Sequence, residues 1–134
     1  MRLRSLVGCA SVIAFALPGC GGSDPGPGQT AIAYYAALAN GDGKKVCSLA
    51  ASALQRHLIS EAAGAASTPA GKHVDCPTAV EHLTGGPHPG RKLEVKSTSV
   101  KGKYALVTLG AGGGDASAPV RLVRERGSWK MLEP

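Results

Sequence analysis

The chain has 134 residues, room for one domain with one core. Aromatic residues make up only 4% of it, so a core has to be built from Ala, Val and Leu, which bury less apolar area per residue. The formal charge is +6, but the cations are scattered from Lys44 to Arg126 with no long basic run and little aromatic interleaving, a pattern that excludes an ordinary nucleic-acid-binding surface.

In chain order, residues 1–19 have the layout of a signal peptide. Arg2 and Arg4 come first, an apolar run follows over 6–17, and Gly19 supplies a small residue for cleavage. The run is shorter than the roughly 20 residues that a membrane-spanning helix needs. The quartet LPGC at 17–20 resembles the lipobox of bacterial lipoproteins. That resemblance implies that Cys20 takes a diacylglycerol on sulfur, becomes the new N-terminus and anchors the chain to the outer face of the cytoplasmic membrane. A second quartet, LVGC at 6–9, has almost no apolar run before it for a secretion system to bind. The alternative is a secreted protein in which Cys20 is incidental. Two acyl chains suffice for stable anchoring, and GGSDPGPG at 21–28 then acts as a flexible tether. The expected division is a signal peptide at 1–19, a lipidated N-terminus and tether at 20–28, and a folded domain at 29–134.

With the signal removed, the loss of Arg2 and Arg4 takes the formal charge from +6 to +4, and the domain keeps Cys47 and Cys76. An even pair in an oxidising compartment reads as a disulfide. Its 29-residue separation is worth roughly 3 to 4 kcal/mol in the chain-entropy model. A redox-active pair would show as C-x-x-C, which this spacing is not.

QTAIAYYAALANG reads as a helix with Thr30 as N-cap; Ile32, Tyr35, Leu38 and Ala39 share one face, and Ala31, Tyr34 and Ala37 make the other side nearly as apolar. Asp42 is placed to cap a second helix through Val46, Cys47 and Leu49, and Ser52 to cap a continuation through Leu54, Leu58 and Ile59. Residues 60–74, rich in Ala, Gly, Ser and Thr, read as a loop. A short third helix follows Asp75 and Pro77, with Val80 and Leu83 facing inward and Gly85, Gly86 and Pro87 ending it. Strands are expected over 92–100, 104–110, 120–125 and 129–132, with a Lys101-Gly102 turn, a glycine-rich loop AGGGDASA and a final RGS turn. Short connections make the sheet antiparallel. The fold class is therefore α+β: N-terminal helices packed on a curved antiparallel sheet.

The phrases AIAYYAALANGDGKKVCSLA, CPTAV, VKGKYALVTLG and VRLVRERGSWKM, in that order, resemble small exported lipoproteins of the nuclear transport factor 2-like superfamily over most of 29–132. Cysteines in the second helix and near the start of the third fit that resemblance. It implies a cone, a bent sheet wrapped over helices, whose cavity serves catalysis in some members and binds small apolar ligands or partner proteins in others. The stretch 60–75 departs from the larger members, which often have extra strands there.

Catalytic candidates are few. Glu81 and His82 are adjacent on a helix and so point about 100 degrees apart. Asp75 and Asp115 lie at element edges, where capping and turn roles account for them. His73, Cys76, His82 and His88 lack the spacing of a closed tetrahedral metal site, and AGGGD lacks the GK[ST] ending of a phosphate loop. No catalytic residue, metal or cofactor is expected. Tyr34, Tyr35, Tyr104 and Trp129 either line a pocket or fill an aromatic-poor core. The expectation is a non-enzymatic, membrane-anchored domain that binds a small apolar ligand or an envelope partner. The rival is a small acid/base enzyme of isomerase or hydrolase type on the same cone.

Overall fold

The computed structural model describes residues 24–65, 73–112 and 116–134. The signal-peptide reading, Cys20 and residues 21–23 of the expected tether lie outside the described residues. Among those described, the order is α1 (Pro27–Ala39), α2 (Gly43–Leu49), α3 (Ser52–Gly64), α4 (Cys76–Thr84), β1 (Leu93–Lys101), β2 (Tyr104–Ala111), β3 (Ala116–Glu125) and β4 (Ser128–Glu133). The strands form one antiparallel sheet in sequence order, β1-β2-β3-β4. This is the α+β plan, helices first and a meander after. All three strand pairings contain a register shift, a feature that bends strands and strengthens their twist.

Local chemistry sets the helix ends. The first helix opens earlier than a Thr30 cap would allow, because Gly26 is the N-cap and Pro27 occupies the first turn with its φ already helical. Pro27 and Gly28 therefore belong to the domain and not to the tether. The first turn lies against β1: a Cβ on Gly28 would sit 2.8 Å from Val95 Cγ2. Thr30 is then inside the helix, 1% exposed, and its Oγ1 has no hydrogen-bond partner among the described residues. After the turn at Gly41 (φ +68°), the Asp42 carboxylate accepts the Lys45 amide at 3.0 Å and starts α2. At α3 the residue Ser52 is the first helical position and not the cap. The cap comes from the sheet: the Glu125 carboxylate accepts both the Ser52 amide (3.2 Å) and its hydroxyl (3.0 Å).

Helix α3 continues through Gly64, into the stretch read as a loop, because Glu61, Ala62 and Ala63 have favourable helix propensities. Residues 66–72 lie outside the described part. Asp75 caps α4, accepting the Thr78 amide at 2.9 Å, and these hydrogen bonds hold its carboxyl below the ordinary value. Gly85, at φ +69°, closes the helix in the left-handed conformation. Val80 is buried, but Leu83 is 42% exposed, contrary to the inward orientation expected, since α4 is covered on one side only. Strand β3 begins at Ala116, four residues before the predicted start at Val120.

The core lies between the helices and one face of the sheet. Ala105, Val107 and Leu109 of β2, Val120 and Leu122 of β3, and Trp129 and Met131 of β4 meet Ala31, Tyr34 and Ala37 of α1 and Val46 of α2. A disulfide joins Cys47 of α2 to Cys76 of α4, with Cα atoms 6.1 Å apart. Replacing both cysteines by serine is expected to cost roughly 3 to 4 kcal/mol in urea denaturation relative to the oxidised protein. Thr30→Val keeps the shape of the buried side chain and removes an oxygen that hydrogen-bonds to no described residue. It should raise stability by about 1 kcal/mol in the same assay.

Candidate functional site

Helix α1 carries two apolar stripes, and they have different fates. Ala31, Tyr34 and Ala37 are buried against the sheet and α2. Ile32, Tyr35, Leu38 and Ala39, one position further round, are half-buried and form the wall of an open groove. Its floor is Leu93, Leu109 and Val120, from the core-facing side of the sheet, and its volume is about 980 Å³. That is at the upper end of the roughly 300 to 1,000 Å³ common for small-molecule sites.

The rim at the C-terminal end of α1 is the connection from α4 to β1, over residues 86–92. This strap is fastened at both ends. The His88 amide donates to the Ala39 carbonyl at 2.9 Å, and the Gly112 amide donates to the Lys92 carbonyl at 3.3 Å. Between them Gly90 passes so close to the end of α1 that a Cβ there would lie 2.9 Å from Ala39 Cβ, and Pro87 packs on Gly41. His88, Arg91 and Lys92 are thereby held at the groove edge, with Asn40 and Thr84 as further polar groups. No Asp or Glu lines the groove among the described residues. A smaller hollow of about 550 Å³ lies by α3, where His57 and Glu61 approach to 4.0 Å on an exposed helix face.

The four aromatic residues singled out in the sequence do not share one pocket. Only Tyr35 lines the groove. Tyr34 is 2% exposed and meets Tyr35 edge-on, ring centroids 5.7 Å apart. Trp129 is buried on the core face with the Arg124 guanidinium 5.0 Å from its ring centre. Tyr104 is half-exposed, because the alternation of β2 sends it to the opposite face of the sheet from Ala105 and Val107. Glu81 and His82 are both exposed on α4. Among the described residues, no group of three or more His, Cys, Asp or Glu side chains is arranged to hold a metal ion, and no helix is long and apolar enough to cross a membrane.

Sequence reasoning missed Arg91 and Lys92 as site residues and weighed His88 only as a metal ligand. GGPHPGRK reads as a helix terminator and a turn, and only the fastening of that turn to Ala39 and Gly112 brings its cations to the groove. No family model, curated protein or solved structure matches the chain.

Burial, with a smaller contribution from Tyr35, pushes the Tyr34 phenol up from its ordinary 10.0 to about 12. Burial raises Tyr35 as well. An unfolded chain ionises these phenols from about pH 10, while the folded one keeps Tyr34 neutral until about 12, so stability falls as pH rises through that window. Ultraviolet titration of the folded protein should show a phenol ionising near pH 12 that Tyr34→Phe removes.

Proposed function

We propose that the chain is a membrane-anchored lipoprotein domain of the nuclear transport factor 2-like kind, lipidated at Cys20, exported, non-enzymatic, and built to bind a small apolar ligand. The observation that carries the reading is the groove beside α1, an apolar wall and floor left open where the helices stop covering the sheet. The four-helix, four-strand order and the core on one sheet face agree with the cone that the sequence resembles. The disulfide suits an oxidising compartment, and with it the exported location.

A site of this shape binds through burial of apolar surface, worth about 25 cal/mol per Å². A ligand covering the exposed flanks of Ile32, Leu38 and Leu93 would remove from water the part of α1 and β1 that folding leaves half-wet.

The test is native mass spectrometry, followed by denaturing mass spectrometry, on the protein purified from its own membranes. The expected result is a chain beginning at a diacylated Cys20 together with a releasable small molecule. Ala36→Trp, a change at an exposed helical position on the groove wall, should give the same lipidated chain without the small molecule. Cys20→Ala should move the protein out of the membrane fraction. A wild-type chain that releases nothing, or a ligand retained in Ala36→Trp, would overturn the binding reading; a Cys20→Ala variant that stays with the membrane would overturn the anchor.

A further inference from the structure

We infer that the groove takes a long-chain fatty acid, its alkyl chain along the apolar floor and its carboxylate at the strap. This rests on the ligand-binding reading above and assigns the ligand's chemical class. The argument begins with the partition of polarity. The wall and floor, Ile32, Leu38, Leu93 and Leu109 among them, are apolar apart from the Tyr35 hydroxyl, while the charged side chains of the lining are gathered on one edge within the strap 86–92. An amphiphile with its charge at one end matches that division; a compact uncharged ligand leaves the edge unused.

The sign of the charge follows from what the cations lack. Several cations on the sheet have partners, though Lys101 has none among the described residues: Lys96 pairs with Glu94 at 3.3 Å, Arg121 with Glu133 at 3.1 Å, the Lys130 ammonium donates to the Ser48 carbonyl at 2.6 Å, and Arg124 covers Trp129. Arg91 and Lys92 form no ion pair with any described residue. They sit next to each other on a strap whose backbone is tied down, and no Asp or Glu side chain lines the groove among the described residues, where Pro134 is a further lining residue. Arg91 presents a planar fork that a carboxylate accepts in bidentate fashion, and Lys92 a second donor beside it. A single groove with one charged edge fits one chain with one head, which favours a fatty acid over a two-chain lipid.

Both cations are exposed, so each is worth little alone, and together they should prefer a carboxylate over an uncharged head by about tenfold. The test uses the full-length chain carrying Cys20→Ser, so that no attached acyl group competes, and measures displacement of an environment-sensitive dye from the groove. The probes are palmitate, hexadecanol and hexadecyl phosphate, each below its aggregation concentration. Palmitate is expected to bind about tenfold tighter than hexadecanol. The advantage should vanish in the double variant Arg91→Glu, Lys92→Glu and shrink with added salt, while hexadecanol binding stays unchanged in that variant. Equal binding of palmitate and hexadecanol, or a preference that survives the charge reversal, would refute the fatty-acid assignment and leave the apolar site standing. A clear preference for hexadecyl phosphate would replace the carboxylate with a phosphate head. If no probe displaces the dye, and Ala36→Trp leaves dye binding unaltered, the groove is not a ligand site and the underlying reading fails with it.

Discussion

The amide of Ala51 donates to the carbonyl of Met131 across 2.7 Å, and Ala50 pairs with the same residue as a parallel bridge. Around this point the joint between α2 and α3 is stitched to β4, the last strand of the sheet. The Glu125 carboxylate caps α3 at Ser52, and the Lys130 ammonium reaches the Ser48 carbonyl near the end of α2. Every one of these contacts spans more than 70 residues, and together they fix where the helical layer meets the sheet. They also satisfy part of the edge of β4, which would otherwise offer free backbone groups to another chain. The helices are bound to one another by separate means, the Cys47 to Cys76 bond and the turn at Gly41. The seam anchors the β4 side of the sheet, and the opposite side, at β1, is left thinly covered.

That asymmetry explains the groove. Ala31, Ala37 and Ala50 are buried in the core against the sheet, so helices and sheet approach closely there, while Ala62 and Ala79 pack between α3 and α4. Close approach on the β4 side comes with a loss of cover on the β1 side, where Val95 and Val100 remain 39% and 52% exposed although the pairing with Leu109 and Ala105 sets them on the core face. Larger residues on the buried stripe of α1 would lift the helix and spread it over more of the sheet. The buried stripe is Tyr34 flanked by Ala31 and Ala37, and the second stripe, Ile32, Tyr35 and Leu38, is left without a complete partner.

The same physics divides what could be seen in the sequence from what could not. Capping by Asp42 and Asp75, the stop at Gly85, the turn at Gly102 and the alternation of β2 act over a few residues, and all were legible. The cap of α3 was not, because its carboxylate comes from Glu125 across the fold, and a local reading credits the nearest hydroxyl, Ser52. Thr30 misled for a related reason: a threonine near a helix start looks like a cap until a glycine and a proline upstream open the helix first. The disulfide pair was legible as the two cysteines left once residues 1–20 are set aside as an export signal and anchor. The site was legible only as composition. Two apolar faces on α1 could be read off, but which would be buried depends on the seam, and the cations of the strap meet the groove only through Ala39 and Gly112.

Floor and rim would contribute to binding in different ways. Apolar burial is non-directional and scales with area, so the floor supplies most of the affinity and tolerates ligands of varied shape. Exposed cations add a kilocalorie or less each and are screened within about 10 Å at ordinary ionic strength, so the rim adds discrimination more than strength. For that discrimination to be felt, the cations have to stay in place relative to the floor, and long side chains on a free loop would give much of the gain back as lost entropy. The strap limits this cost through its backbone: the His88 and Lys92 hydrogen bonds and the tight passage of Gly90 past Ala39 fix the positions from which Arg91 and Lys92 extend. A bulkier residue at position 90 would push the strap off α1 and move the rim without touching the floor. Because Gly90 carries no charge and lines only the edge, its tight fit is best understood as the feature that holds the charged edge in register with the apolar one.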